Sequence, residues 1–181
     1  MATALDRALS LITDVPDYPK PGILFKDITP LLADGPGFSV VIDELARSIK
    51  NLDQGIDAIV GIESRGFILG GALAKALEIG FVTVRKPGKL PRDVHRKEYA
   101  LEYGFDALEL HKDLLKPSDK VVIVDDVLAT GGTAIACHEL VEITSANVVA
   151  HLFLLEITFL NGRSMISKSH PEVSVISLLQ A

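Results

Sequence analysis

The chain has 181 residues, 48% apolar and 23% charged, with a formal net charge of −6. That is the profile of a folded globular protein rather than a disordered one, and one domain spanning 1–181 is expected. An acidic balance with no basic tail argues against general binding to nucleic acid or anionic lipid. Cys137 is the single cysteine, so no internal disulfide can form and a reducing cytoplasm is the expected compartment. The N-terminal segment has no basic stretch ahead of an apolar one and carries Asp6, unlike a secretory signal. The longest apolar run, Val148 to Ile157, is broken by His151 and Glu156 and is too short to span a bilayer.

Leu5, Ala8, Leu9 and Ile12 share one face of a short N-terminal helix that stops before Pro16. Residues 16–30 hold Pro16, Pro19, Pro21, Gly22 and Pro30, and read as an ordered extended segment because Ile23, Leu24, Phe25 and Ile28 call for burial. The stripe Phe38, Val41, Ile42, Leu45, Ala46 and Ile49 predicts a helix over 37–50. Four β-rich runs, 58–62, 81–84, 121–124 and 148–155, are nearly continuous in apolar character, as strands covered on both faces are. Helices fit at 67–77 and 134–143, the second with Ala136, Leu140 and Ile143 inward and His138, Glu139 and Glu142 outward. The alternation predicts an α/β fold: a mainly parallel twisted sheet flanked by helices. Residues 14–30 and 86–112 add something outside that scheme.

In a parallel sheet, ligands sit beyond the carboxyl ends of the strands. VVIVDDVLATGGTA (121–134) runs from a buried strand, expected to end at Asp125-Asp126, through Ala129, Thr130, Gly131, Gly132 and Thr133 into a helix. Glycines let such a loop turn its amides inward, and the helix N-terminus adds partial positive charge, so the segment is a phosphate cradle. The Walker pattern and its lysine are missing. Twin carboxylates would repel a bare phosphate, but the hydroxyls of an attached sugar can donate to them. Gly61 to Gly66 marks a second strand end, where Ser64 and Arg65 either cap the next helix or grip a second anion. After the strand at 81–84 come Arg85, Lys86, Lys89, Arg92, Arg96 and Lys97, six of the chain's 18 cations, against Asp93 alone. With Pro87, Gly88 and Pro91 among them, they predict a basic loop that attracts a polyanion and closes as a lid. Glu102, at its base, is either a surface residue or a general acid–base. Cys137 reads as core packing. His95, His111, His138, His151 and His170 show no metal spacing and no nucleophile pairing.

Taken together, these segments resemble the type I phosphoribosyltransferase family. PKPGILFKDITPLL (19–32), GIESRGFILG (61–70), VRKPGKLP (84–91) and YALEYG (99–104) are similar to the members that use adenine, and the match runs from about residue 15 to the C-terminus. The resemblance implies that fold, with a small N-terminal hood (14–30) and a flexible lid (86–104, including Tyr103). Its substrates would be adenine and phosphoribosyl pyrophosphate (PRPP), and its products AMP and pyrophosphate. Ala129 to Thr133 would hold the 5′-phosphate, and Asp125 and Asp126 the ribose hydroxyls. Ser64, Arg65, Arg85, Lys86 and Lys89 would face pyrophosphate, with Arg85 reaching toward a neighbour's site in a homodimer. Leu24, Phe25 and Lys26 would bind adenine, with Glu102 and Arg65 as the catalytic residues. The resemblance also implies a non-proline cis peptide near Glu63-Ser64, and Mg²⁺ held by PRPP oxygens with no direct protein ligand. Residues 92–98 depart from the family's Ser-rich lid, and 144–147 lack its usual glycine. Two alternatives stand beside it: a relative using a 6-oxopurine, and a non-catalytic PRPP sensor.

Overall fold

The computed structural model describes residues 2–100 and 105–181, the side chain of Ala100 excepted. The chain divides into two compact units, Met1–Arg47 and Ser48–Ala181.

The first unit contains α1 (Ala4–Leu9), β1 (Thr13–Pro16), β2 (Leu24–Asp27), α2 (Thr29–Ala33) and most of α3 (Gly35–Lys50). Thr3 opens α1 with a capping box. Its hydroxyl accepts from the Asp6 N–H at 3.1 Å, and the Asp6 carboxylate accepts from the Thr3 N–H at 2.7 Å. The helix ends before Ile12, short of the predicted stripe, because Thr13 begins a strand that pairs antiparallel with β2, Thr13 opposite Asp27 and Pro16 opposite Leu24. The Tyr18–Pro19 bond between them is cis. Among the side chains expected to bury here, Ile28 does and Phe25 half does, with its ring meeting the Tyr18 edge at 5.2 Å. Ile23 and Leu24 instead lie exposed. The α3 stripe is as predicted from Val41 onward, with Val41, Ile42, Leu45, Ala46 and Ile49 buried, while Phe38 is only half-buried.

The second unit contains β3 (Ala58–Ile62), α4 (Gly66–Leu77), β4 (Gly80–Val84), β5 (Val94–Ala100), β6 (Phe105–His111), β7 (Lys120–Leu128), α5 (Gly132–Glu142), β8 (Asn147–Glu156), a 3₁₀ turn (Thr158–Leu160), α6 (Gly162–Ser169) and β9 (Ser174–Gln180). Five strands form one sheet in the order β4-β3-β7-β8-β9, every pair parallel. This is the predicted α/β architecture, with Val121 to Val124 of the middle strand wholly buried. From β3 the chain winds outward to β4, and from β7 it winds the other way to β8 and β9. The order therefore reverses between β3 and β7, where a parallel sheet opens a crevice for ligands.

Three local findings differ from expectation. The basic stretch is not all loop: β5 and β6 pair antiparallel from Val94–His111 to Ala100–Phe105. Strand β7 does not stop at its aspartates but stays paired with β8 as far as Leu128 opposite Glu156. On α5, His138 is buried rather than outward, and Ile143 is 49% exposed just past the helix end. Helix α6, which carried no apolar pattern strong enough to predict, supplies a second neighbour for α5. The ring of its C-cap residue His170 lies flat on His138, with centroids 3.6 Å apart.

Glycines set two close approaches. The Phe81 ring fills the space where Gly61 and Gly70 lack side chains; a Cβ on either would sit 2.7 Å from it. At the foot of α6, a Cβ on Gly162 would lie 2.2 Å from the Ala129 carbonyl oxygen. Gly162→Ala is therefore expected to cost about 1–3 kcal/mol through overpacking against backbone. Gly71→Ala, in the interior of α4 with nothing within 4 Å, is expected to gain up to about 1 kcal/mol from helix propensity. Urea denaturation of the two variants checks both signs.

Candidate active site at the β3–β7 crevice

The pairing of β3 with β7 ends at Gly61 opposite Val124, so Asp125 and Asp126 project beyond the last shared rung. On the β3 side, the chain turns through Glu63-Ser64, a cis peptide, into Arg65, which precedes the first turn of α4. Gly66 allows that turn to lie against β7: a Cβ there would be 2.7 Å from the Val124 carbonyl oxygen and 3.0 Å from Asp125 Oδ1. Arg65 Nε donates to Asp126 Oδ2, a salt bridge that ties the two strand ends together. The Asp126 N–H donates to Asp125 Oδ1 at 2.9 Å. Burial and the Asp126 carboxylate raise Asp125 well above the usual carboxylate range.

Beyond β7, the chain passes through Ala129 and Thr130 to Gly131, whose φ of +88° is the left-handed conformation that glycine tolerates. Gly131 is the N-cap of α5, so the free amides of the helix start face the loop. Asp125, Ala129, Thr130, Gly131 and Thr133 line a small cavity of about 80 Å³. Amides, a helix N-terminus and a hydroxyl around such a cavity suit a phosphate group. A Cβ on Gly131 would lie 2.9 Å from the Gly162 carbonyl oxygen, so α6 braces this loop from behind.

A second cluster surrounds Glu63. Its carboxylate accepts from Lys89 Nζ at 2.7 Å, the Lys86 N–H at 3.0 Å and Arg85 Nη2 at 3.2 Å. Burial alone would raise Glu63, but these donors outweigh it and pull the group down to about 2. Lys86 Nζ pairs with Asp106 and lies 3.2 Å from the Tyr99 hydroxyl, which in turn accepts from Thr133 Oγ1 at 3.4 Å. The chain of contacts thus runs from the basic loop to the 129–133 loop. Farther along, Arg92 pairs with Asp113, Arg96 with Glu98, and Lys97 with Glu139 at 2.9 Å. All six cations of the basic stretch have carboxylate partners, nearly all of them distant in sequence.

The structure therefore brings Ser64, Arg65, Asp125, Asp126 and Ala129 to Thr133 to one strand edge, with Arg85, Lys86 and Lys89 gathered on Glu63. Arg85 engages Glu63 of its own chain. Leu24, Phe25 and Lys26 lie on β2 in the first unit, where Lys26 pairs with Asp14 at 2.7 Å. Glu102 and Tyr103 fall outside the described residues. Glu63, Tyr99 and Asp106 were not singled out from sequence. Only the position of Glu63 beside Ser64-Arg65 hinted at a role.

The sequence model of the phosphoribosyl transferase domain matches residues 31–175. An adenine phosphoribosyltransferase of Synechococcus sp. is 54% identical over 170 residues, covering 94% of this chain and 96% of that protein. The solved structure of adenine phosphoribosyltransferase from Thermoanaerobacter pseudethanolicus is 46% identical with a TM-score of 0.92, covering 98% of this chain and 99% of that one. That from Saccharomyces cerevisiae, complexed with an imino-altritol bisphosphate and adenine, is 39% identical with a TM-score of 0.89, covering 99% and 100%. The phosphate cradle, the twin aspartates at a parallel strand's carboxyl end and this agreement over nearly the whole length make one case: the chain belongs to the phosphoribosyltransferase family.

Proposed function

We propose that this chain serves purine salvage by transferring the 5-phosphoribosyl group of PRPP to N9 of adenine, forming AMP and releasing pyrophosphate. The observation that carries the reading is the joining of a phosphate-sized cradle, 129–133, to the carboxylates of Asp125 and Asp126 on a single strand end. One side of it suits a phosphate and the other a pair of sugar hydroxyls, so the ligand is a phosphorylated ribose. The names of the relatives supply the base, and a Trypanosoma brucei adenine phosphoribosyl transferase of the same fold has been solved with AMP, pyrophosphate and ribose-5-phosphate.

In this reading, the amides of 129–133 and the start of α5 hold the 5′-phosphate. Asp125 and Asp126 accept from the ribose hydroxyls. Ser64 and Arg65, with Arg85, Lys86 and Lys89 released from their carboxylates, bind pyrophosphate. The bond from the anomeric carbon to pyrophosphate oxygen breaks as the bond to adenine N9 forms, and Glu102 takes the proton that leaves N7. Leu24, Phe25 and Lys26 read the base: Phe25 stacks, and backbone groups at 24 and 26 face its edge. A carbonyl there accepts from the 6-amino group of adenine but opposes the 6-oxo group of hypoxanthine, a mismatch that discriminates strongly. The hard oxygens of Asp125 and Asp126 suit Mg²⁺, but Asp126 is already held by Arg65, so the ion would be held mainly by PRPP oxygens. Mg²⁺ bound there would supply charge neutralisation for the departing pyrophosphate. A homodimer in the cytoplasm completes the proposal. Among the described residues, no helix is long and apolar enough to cross a membrane.

Incubation with PRPP and Mg²⁺ is expected to yield a nucleotide from adenine and not from hypoxanthine or guanine. A 6-oxopurine product would keep the PRPP site and overturn the base assignment, whereas tight PRPP binding without product would favour a sensor. Glu102→Gln is expected to lower kcat by ~10²–10⁴ while leaving PRPP affinity nearly intact; an unchanged kcat removes Glu102 from the chemistry. The double variant Asp125→Asn, Asp126→Asn is expected to weaken PRPP by about tenfold or more through loss of charge-assisted hydrogen bonds, and an isothermal titration of PRPP reads this directly.

A further inference from the structure

Three histidines with no part in the proposed reaction meet in the second unit, where α5, β8 and α6 come together. His138, His151 and His170 are all buried, at 3%, 0% and 8% exposure. His138 Nδ1 lies 3.0 Å from His151 Nε2, which leaves His138 Nε2 directed elsewhere. Its neighbour one helical turn on is Glu142, whose Oε1 is 3.6 Å from His138 Nε2 and 4.0 Å from His170 Nδ1. Those are two imidazole nitrogens and a carboxylate oxygen, all within 4.8 Å of one another. None of the separations is a hydrogen bond.

We propose that His138, Glu142 and His170 form a binding site for a divalent transition-metal ion of the Zn²⁺ class. The donor set is one that Zn²⁺ takes with a fourth position left to water, and its nitrogens exclude Mg²⁺ and Ca²⁺ as preferred occupants. Zn–N bonds of about 2.0–2.1 Å in a tetrahedral site put neighbouring donors roughly 3.3 Å apart, so the His138–Glu142 and His170–Glu142 distances need only a small contraction. The Glu142 side chain, 53% exposed, can swing inward to make it. His138 and His170 stack within 7° of parallel, so binding tilts the rings until both nitrogens point at one centre. The second nitrogen of His138 is already spoken for by His151, the arrangement that fixes the tautomer and orientation of a metal-binding imidazole. An open pocket bordered by His138, Glu142, Asn147 and Glu172 gives the ion a way in, with carboxylates along it to draw a cation. The ion would pin the end of α6 to α5, the same helix whose first residue, Gly162, braces the phosphate loop.

The test uses untagged full-length protein stripped with chelator and then desalted. Zn²⁺ titrated by calorimetry is expected to bind with one-to-one stoichiometry and to raise the thermal midpoint, and Co²⁺ in its place is expected to give the visible absorption of a four-coordinate site. Glu142→Gln, an exposed position that leaves folding intact, is expected to weaken Zn²⁺ by tenfold or more, and His170→Gln to abolish the Co²⁺ spectrum. Failure of wild-type protein to bind Zn²⁺ at low micromolar concentration overturns the site. So does binding that both variants retain, since the ion would then sit elsewhere.

Discussion

The geometry of this protein depends on where β7 loses one neighbour and keeps the other. Its hydrogen bonds to β3 stop at Val124, and those to β8 continue to Leu128. On the β3 side the strand edge is therefore open over Asp125 and Asp126, while on the β8 side it is still held rigid. A strand free on both sides would place the carboxylates loosely. One paired on both sides would leave no room for a ligand between β3 and β7. The buried run from Val121 to Val124 anchors the half-open end, and Arg65 closes the gap at its base by pairing with Asp126.

Small residues carry the precision of the site. Gly66 lets the start of α4 touch the Val124 carbonyl and Asp125, and Gly131 turns the phosphate loop through a positive φ. Gly162 lets α6 approach the carbonyl of Ala129 from below. At each of these places a methyl group would meet backbone, which cannot move aside as a flexible side chain can. The 129–133 loop is thus shaped twice, by its own glycines and by one that lies well beyond it in the chain.

Much of this was legible in the residues. Four of the five sheet strands and the helices between them announce themselves because strands covered on both faces must be apolar throughout, as 58–62 and 121–124 are; β9, at the sheet edge and only half-buried, was not singled out. The cradle was legible because glycines, twin aspartates and a helix start occur together within 121–134. Less visible were features that depend on contacts distant in sequence. The end of β7 was misjudged because an aspartate pair reads as a turn unless the partner strand is known. The β5–β6 hairpin is charged on its open face and masquerades as loop. His138 looked solvent-facing because the helix covering it, α6, has a weak apolar pattern of its own. Leu24 and Ile23 were expected to be covered on hydrophobicity alone, an inference that fails because much of any folded surface is apolar.

Charge shows the same limit most sharply. Counted along the chain, the stretch 85–97 is six cations against a single aspartate, a polyanion trap. Folded, it is close to neutral, since Glu63, Asp106, Asp113, Glu98 and Glu139 each take one or more of its cations. Long-range attraction of an anion by this loop is therefore weaker than its composition implies. What the loop offers instead is exchange: on the proposed reading, a pyrophosphate arriving near Ser64-Arg65 would compete with the Glu63 carboxylate for Lys89, Arg85 and the Lys86 amide. Glu63 holds those donors in place beforehand, so they need not be ordered at the moment of binding, and it leaves them no cheaper anion to prefer than one with more charge. Preorganisation by a resident carboxylate raises selectivity for highly charged ligands over singly charged ones, because only the former can outbid it.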